Sequence, residues 1–386
     1  MSMRRRWILF SIVFILLALS GCRSETQTQS NQRKTTLQNL EVHFIDVGQG
    51  DATLIKCGDR SMLIDGGEND KGTLIQNYMN KQGVKSLDYF IVTHPDSDHC
   101  GGADVIITKY DIDTIIMPNY EKDTATYRDV VQSLDYKRYS VTPPVVGNTY
   151  SLGDAEFTII GPNKNDYGNE SNNYSVAIVL KHGRKKFVFT GDAEEEAEID
   201  IVNNKMDISA QVLKVGHHGS KSSSAEKFIQ AVSPEYGVIS CGENNEYGHP
   251  HSATLNTLRK EGVKVFRTDE QGSIVAVSDG KEITWNTAPT DSWKAGESTK
   301  SSTDNKKKDS EKMPEDQKNF SGNEREAQAE ETTKNTQKIA YVLNTQTKKF
   351  HKPECDSLPT THRFNSAQKR EELIAQEYVP CKRCNP

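Results

Sequence analysis

Short apolar runs alternate with segments of helical spacing between Leu40 and Trp285. The spacing predicts strands at 42–47, 52–55, 62–64, 89–92, 114–117, 157–160, 176–180, 187–190, 212–215, 237–240 and 263–267. It predicts helices at 72–82, 194–203 and 223–232. Strands that alternate with helices indicate a layered α/β domain, which we bound at 39–287.

The pattern ends beyond this domain. Residues 288–338 are nearly all Lys, Glu, Asp, Ser, Thr, Asn and Gln, which bury too little apolar surface to fold. They predict a disordered linker. Apolar residues return at 339–343, and three of the seven cysteines follow. The chain therefore ends in a second, small module over 339–386.

Residues 1–22 have the pattern of a secretory signal. Three consecutive arginines precede an apolar run over 7–19, which is too short to span a bilayer comfortably. The run ends in Leu-Ser-Gly-Cys22, which is similar to the lipobox of bacterial lipoproteins, where the cysteine is acylated. We predict a lipid anchor at Cys22, a tether over 23–38, and a location on the outer face of the bacterial cytoplasmic membrane. An ordinary signal, or a membrane anchor with an incidental cysteine, is the alternative.

Composition and charge narrow the function. Only 34% of the 386 residues are hydrophobic and the mean hydropathy is -0.70, so part of the chain is polar tail rather than core. The net charge is -6, whereas a nucleic-acid binder usually carries a basic face. Any nucleic acid must therefore be held by a local patch.

The strongest chemical signal is Thr-His-Pro-Asp-Ser-Asp-His over 93–99, followed by Gly101-Gly102. It offers four potential ligands, His94, Asp96, Asp98 and His99, on a loop at the end of an apolar strand. Imidazole and carboxylate together suit zinc or manganese.

This motif resembles the metal motif of the metallo-β-lactamase superfamily, with Asp96 where the usual form has histidine. The aspartate variant is similar to the extracellular hydrolase domain of the ComEC family of DNA-uptake competence proteins. Other stretches agree: Phe-Ile-Asp-Val-Gly-Gln-Gly-Asp (44–51), Leu-Ile-Asp-Gly-Gly (63–67), Thr-Gly-Asp-Ala (190–193), Lys-Val-Gly-His-His-Gly-Ser (214–220) and Tyr-Gly-His-Pro-His (247–251). The resemblance covers about 40–285, implies an αββα sandwich, and does not extend to the membrane channel of that family.

The resemblance implies two divalent metal ions, zinc or manganese, and their ligands. The matching residues are His94 and Asp96 for the first metal, Asp98 and His99 for the second, Asp192 as the bridging carboxylate, and His217 after the later strand, with His218 able to exchange with His217. Asp65 matches a residue that orients a metal-binding imidazole rather than a ligand.

One departure from the superfamily pattern concerns the first metal. Many members carry a further histidine shortly before the bridging aspartate, where this chain has Asn-Asn-Tyr-Ser over 172–175. The nearby His182 is expected on the surface in a turn. With fewer nitrogen ligands, the first position should favour manganese or magnesium over zinc.

Two such ions generate a hydroxide from bound water, so no serine or cysteine nucleophile is required. We predict Asp98 and His249 as catalytic residues, with His249 as an acid or an electrostatic clamp on a phosphate. A surface loop is the alternative for His249. Cys57, Cys100 and Cys241 are expected to be small buried apolar residues.

The C-terminal module carries a second metal pattern. His351, Cys355, Cys381 and Cys384 offer four soft ligands in a segment with few apolar groups, which predicts one structural zinc ion. The pattern resembles small metal-binding modules related to that of the Ada DNA-repair protein. A disulfide that leaves one cysteine over is the alternative in an exported chain. Its basic residues are suited to DNA or an anionic wall polymer.

These features predict an exported, membrane-anchored, metal-dependent hydrolase, in the first place a phosphodiesterase or nuclease acting on extracellular DNA. A hydrolase of another phosphoester, a lactam or a lactone is the second hypothesis. A noncatalytic surface lipoprotein that binds DNA or wall polymer is the third. The sequence identifies no protein partner.

Overall fold

The computed structural model describes residues 37–298, 341–344, 347–352, 355, 363–366, 370–375 and 378–384. The predicted signal, Cys22 and most of the tether lie outside these residues, as does 299–338 of the predicted linker. The chain divides into two compact units, 1–308 and 309–386. Within the described parts, no helix combines the length and the apolar character that crossing a membrane requires.

The first unit contains two sheets. Its strands are β1 (Leu40–Phe44), β2 (Thr53–Cys57), β3 (Arg60–Ile64), β4 (Ser86–Ile91), β5 (Asp111–Ile116), β6 (Val141–Thr142), β7 (Thr149–Leu152), β8 (Ala155–Gly161), β9 (Ala177–His182), β10 (Lys185–Phe189), β11 (Val212–Lys214), β12 (Tyr236–Ile239), β13 (Lys264–Arg267), β14 (Ile274–Ser278) and β15 (Ile283–Trp285). One sheet has the order β15-β14-β1-β2-β3-β4-β5-β6 and the other β13-β12-β11-β10-β9-β8-β7.

Helices connect many of these strands. They are α1 (Gly72–Lys81), α2 (Ser97–Cys100), α3 (Ala103–Lys109), α4 (Ala125–Lys137), α5 (Glu195–Asn203), α6 (Glu226–Val232), α7 (Ser252–Lys260) and α8 (Thr268–Gln271), with short 3₁₀ helices at Ser171–Tyr174 and Gly216–Gly219.

The sheets pack face to face, and helices cover both outer faces. Along β1 and beyond it, Phe44 faces the other sheet while Ile45 joins the cluster under the helices. In β3, Met62 faces inward and Leu63 outward in the same way. Successive residues of a strand point to opposite faces, so a strand buried on both sides is a continuous apolar run. The predicted αββα sandwich is confirmed.

The topology brings several strand ends to one edge. Strands β3 and β4 are parallel, and so are β10, β11 and β12. Parallel strands deliver their carboxyl ends to the same edge of a sheet. The loops that follow these strands carry the sequence motifs with Asp65, His94, Asp192 and the histidine pair.

The domain boundary predicted at 287 is too early. The ring of Trp293 packs on the core below the Arg259 guanidinium, 4.6 Å from the ring centre. Thr290 N donates to Val265 O, and Gly296 N donates to Pro250 O. The ring of Trp293 and these backbone hydrogen bonds hold residues 288–298 on the domain, although their polar composition predicted that they belong to the linker.

Two further expectations change with the fold. His182 is fully buried at the end of β9 and bonds Ser278 Oγ at 3.0 Å, so the prediction of a surface histidine is wrong. The helix predicted from 223 begins at Glu226, because the backbone N–H groups of Ser224 and Ala225 donate to the oxygens of the buried Glu198 carboxyl group. The burial of Cys57, Cys100 and Cys241 is confirmed.

The elements of the second unit are β16 (Tyr341–Asn344), β17 (Lys349–His351), β18 (Arg363–Ser366), α9 (Arg370–Ala375) and β19 (Val379–Pro380). Its strands form a small sheet of order β18-β16-β17-β19. Its described core consists of Leu343, Phe350, Leu373 and Tyr378. Because so small a core supplies little free energy of folding, such a unit requires another source of stability.

Candidate metal centre

The loop after β4 buries His94 completely. Its Nδ1 lies 3.1 Å from Thr93 Oγ1 and 3.3 Å from Ser175 Oγ. Its Nε2 is buried with no hydrogen-bond partner among the described residues. A buried polar atom without a partner is costly, and a cation coordinated by Nε2 would satisfy it.

A compact group of nitrogen and oxygen atoms lies beside His94. His218 Nε2 is 3.1 Å from Asp98 Oδ2, 3.3 Å from Asp192 Oδ2 and 3.2 Å from His99 Nε2. His99 Nε2 is in turn 3.1 Å from Asp192 Oδ1. Two imidazole nitrogens and two carboxylates that converge in this way form a suitable ligand set for a divalent metal ion.

Each of these two imidazoles is held at its other ring nitrogen. Asp65 Oδ2 is 2.9 Å from His99 Nδ1, whereas His218 Nδ1 donates to Ser240 O at 3.0 Å and has Asp51 Oδ1 3.5 Å away. Outer carboxylates and backbone carbonyls of this kind fix the orientation and tautomer of ligand imidazoles. Asp51, His99, Asp192 and His218 also form a group with ligand atoms within 4.8 Å of one another. Because Asp51 lies on the Nδ1 side of His218, we place it behind the ligand set rather than in it.

The sequence analysis gave Asp51 no role, although it closes the Phe-Ile-Asp-Val-Gly-Gln-Gly-Asp stretch. Its second oxygen accepts a 2.8 Å hydrogen bond from Lys214 Nζ, and both side chains are buried. A lysine at the end of a buried strand, three residues before His217, was the signal for a buried acidic partner.

Asp96 and Asp98 have different surroundings. Lys122 Nζ donates to Asp96 Oδ1 at 2.6 Å, and both side chains are partly exposed. The resemblance made Asp96 a ligand of the first metal, whereas the structure joins it to a lysine that the sequence analysis did not single out. Asp98 reaches the group around His218, as described above, from the more exposed side of the site.

The histidine pair has an unusual backbone. His217 and His218 adopt φ values of 48° and 53°, the left-handed region. This conformation costs a non-glycine residue about 1–2 kcal/mol. It directs the buried His218 toward Asp98, His99 and Asp192. The more exposed His217 has its Nε2 3.7 Å from Asp192 Oδ2. The sequence left the choice between the two open and favoured His217, and the distances favour His218 for this group.

His249 lies next to both histidines. Its ring centre is 6.0 Å from that of His218 and 5.5 Å from that of His217. Burial and the neighbouring imidazoles His218 and His217 lower the pKa of His249 to about 3. The side chain of Asn245 holds its loop by accepting from His249 N and donating to His249 O. The neighbouring His251 instead accepts a hydrogen bond from Lys221 N through Nδ1.

The charges of Asp98, His99, Asp192 and His218 favour a bound cation. Burial works to lower the pKa of His99, but Asp192, Asp65 and Asp98 together raise it well above its ordinary value. Burial works to raise the pKa of Asp192, but His218 and His99 hold it well below its usual range. The carboxylates therefore stay ionised and draw positive charge into a buried site, which a divalent metal ion supplies.

The second unit contains a separate group of His351, Cys355, Cys381 and Cys384, whose ligand atoms lie within 4.8 Å of one another. His351 ends β17, and the turn after β19 supplies Cys381 and Cys384. No disulfide joins the described cysteines. Three sulfurs and one imidazole form a ligand set typical of structural zinc.

The fold and the first site define the class of protein. The model of the metallo-beta-lactamase superfamily matches residues 45–243, and the chain belongs to that superfamily. It is a hydrolase of the superfamily with relatives among competence proteins, so the resemblance inferred from the motifs is confirmed.

Three relatives illustrate the relationship. ComE operon protein 3 of Bacillus subtilis is 32% identical over 256 residues, covering 61% of this chain and 32% of its own length. Recombination protein 2 of Haemophilus influenzae is 30% identical over 239 residues, covering 61% and 28%. Competence protein ComA of Neisseria gonorrhoeae is 30% identical over 231 residues, covering 59% and 31%. The chain thus spans about a third of the length of these relatives.

Proposed function

We propose that this protein is an exported, lipid-anchored, metal-dependent phosphodiesterase that cleaves DNA outside the cell. The observation that carries the proposal is the convergence of Asp98, His99, Asp192 and His218 beside the unpartnered Nε2 of His94. The names of the relatives, which refer to competence and recombination, favour DNA as the substrate.

Metal ions bound here would lower the pKa of a bound water and polarise a phosphoryl oxygen. The chain's own residues supply the rest of the chemistry. Asp65 holds the imidazole of His99 in place, and the Ser240 carbonyl holds that of His218. His249 is neutral at physiological pH because its pKa is lowered. Its single ring N–H then donates a hydrogen bond to a phosphoryl or leaving oxygen.

A DNA substrate requires local cations and a surface on which bases stack, because the whole chain is acidic. The ring of Tyr247 is 46% exposed and lies against His249 at 5.5 Å. The Lys122 ammonium lies beside the site in its ion pair with Asp96, and the exposed Lys221 is held near His251, whose Nδ1 accepts from the Lys221 backbone N–H. In the second unit, Lys348, Lys382 and Arg383 are exposed.

Hydrolysis assays on the full-length protein in detergent, with added manganese or zinc, test the function. The substrates are DNA and a small phosphodiester. The inactive reference is the Asp98→Ala, His99→Ala double variant. Asp111→Ala is the matched control, because Asp111 is exposed and begins β5, at the end away from the site loops.

We expect metal-dependent DNA cleavage that the double variant loses and the control retains. Cleavage of the small diester alone would replace DNA by another phosphoester as substrate. Metal binding without turnover on either substrate would contradict the enzyme proposal and favour a surface binding protein.

The anchor has its own test. Cells that express the full chain should incorporate labelled fatty acid into it, and Cys22→Ser should abolish the label. The neighbouring substitution Arg23→Ala leaves Cys22 in place and should retain it. Label that persists in Cys22→Ser would overturn the lipid anchor.

A further inference from the structure

Many superfamily members place a histidine of the first metal position shortly before the bridging aspartate, and this chain has none there. The one histidine between His99 and Asp192 is His182, which bonds Ser278 Oγ at 3.0 Å. In this chain the 3₁₀ helix Ser171–Tyr174 occupies that region. The buried Asn173 accepts a 3.0 Å hydrogen bond from Glu194 N through Oδ1. Asn173 therefore holds the loop after Asp192, and this part of the chain supplies no imidazole.

Glu194, to which the sequence analysis gave no role, lies in that same loop. Its Oε1 accepts from Ser222 Oγ at 2.9 Å and from Asn172 Nδ2 at 3.2 Å, and lies 3.3 Å from His217 Nδ1. Ser222 Oγ also bonds His217 Nδ1 at 3.1 Å, so Glu194 acts on the imidazole both directly and through Ser222. These contacts hold the imidazole of His217 with its Nε2 directed toward Asp192, 3.7 Å from Oδ2.

The arrangement repeats the Asp65–His99 pair already described. Asp65 lies behind His99 and Glu194 lies behind His217, whereas His218 Nδ1 donates to Ser240 O with Asp51 farther away at 3.5 Å. In each pair the carboxylate is at Nδ1 and the other nitrogen, Nε2, lies within 4 Å of Asp192. A carboxylate in this position orients a ligand imidazole and raises its basicity.

The backbone supports the same conclusion. Both histidines of the pair adopt the left-handed region, in which glycine would be cheaper than histidine. Strain of this kind persists where the surrounding structure requires a particular side-chain position. Here it places two consecutive imidazoles against the same Asp192 carboxylate.

We infer that His217, positioned by Glu194, completes the first metal position together with His94 and Asp192. His217 thus takes the place of the missing histidine, while His218 remains with Asp98 and His99. The second nitrogen donor in this inference is His94 Nε2, which is buried without a hydrogen-bond partner among the described residues. The inference rests on the proposed metal-dependent function and names the ligands by which that function differs from the usual superfamily pattern.

Manganese binding to the full-length, metal-stripped protein tests the inference without an activity assay. The second unit is first loaded with zinc, because its thiolates prefer zinc to manganese. Titration followed by calorimetry and by the manganese electron-paramagnetic-resonance signal should show two manganese ions bound with unequal affinity.

Glu194→Ala should weaken one of the two binding events about 10–100-fold and leave the other within a few-fold. Glu194→Gln, which retains a hydrogen-bonding oxygen, should recover part of the lost affinity. His217→Ala should remove the same event, and His218→Ala should affect the other. Glu195→Ala is the matched control, because Glu195 is the next residue and is exposed.

The inference is overturned if Glu194→Ala changes neither event, or if the wild-type protein binds a single manganese ion. Near-ultraviolet circular dichroism of each variant separates loss of a ligand from loss of the fold. If two ions bind and Glu194→Ala weakens one, but no phosphodiester is cleaved, the proposed function fails while the ligand assignment stands.

Discussion

The first site draws its ligands from loops at the ends of strands in two sheets, whereas the cysteine group of the second unit draws its ligands from residues 351–384 alone. The first unit has large apolar clusters on both faces of its sheets. The described core of the second unit has four residues. From this difference we predict that the fold of the first unit positions its metal ligands, whereas the second unit requires a bound metal ion in order to fold.

Removal of zinc should give the largest effect and should separate the two units. A structural zinc site contributes on the order of 10 kcal/mol to the folding of a small module. A chelator, or Cys381→Ser, should therefore unfold the second unit and leave the first unit folded. Hydrogen exchange by mass spectrometry measures both units in the same chain. Lys382→Ala is the control, and protection of β16 and β17 that survives the chelator would contradict the comparison.

Loss of a ligand in the first unit should abolish activity rather than folding. His218→Ala removes an imidazole from the metal group, and metal catalysis contributes several kcal/mol, so the hydrolysis rate should fall by about 1,000-fold or more. The thermal unfolding of the first unit should change far less than that of the second unit in Cys381→Ser. Cleavage assays and a melting curve on the same sample measure both quantities. Unfolding of the first unit in His218→Ala would contradict the comparison, because it would mean that the first unit also needs its metal site in order to fold.

The buried ion pair behind His218 should matter to the stability of the first unit. Lys214→Met leaves the Asp51 carboxylate buried without its cation, which should cost about 3–5 kcal/mol in the free energy of unfolding. Lys260→Met breaks the exposed Lys260–Glu226 pair and should cost less than about 1 kcal/mol. Urea denaturation measures both. Equal losses in the two variants would mean that the buried pair has no structural role beyond that of a surface pair.

The smallest effect, taken over one pH unit, concerns pH and should have opposite signs in the two units. Burial raises the pKa of Glu198 to about 8, although the backbone N–H groups of Ala225 and Ser224 work to lower it. Between the unfolded pKa of about 4.3 and this value, the folded state binds the extra proton. The unfolding free energy of the first unit should therefore fall as pH rises, by at most about 1.4 kcal/mol per pH unit.

In the second unit, acid should destabilise, because protons compete with zinc for thiolates and imidazole. Unfolding measured from pH 5 to pH 8 tests both signs. Glu198→Gln should flatten the dependence of the first unit, and an unchanged slope in this variant would assign the effect to another group.

The sequence determined the layered α/β fold, the motif of residues 93–99 and the Cys/His pattern of residues 351–384. Both metal patterns were visible because their ligands are close along the chain, and the strands were visible because burial on both faces leaves continuous apolar runs. The segment 288–298 was misassigned, because its composition is polar and only Trp293 marks its packing.

Only the tertiary structure decided which side chains face the site. Asp51 and His218 are 167 residues apart in the sequence, and Glu194 contacts His217 from a separate loop. No local sequence pattern therefore predicts these contacts. The histidine pair shows the physical reason most directly. Its two residues are neighbours in sequence, and the left-handed backbone at φ 48° and 53° decides what each imidazole contacts. That conformation is imposed by the loops packed around it rather than by the residues themselves.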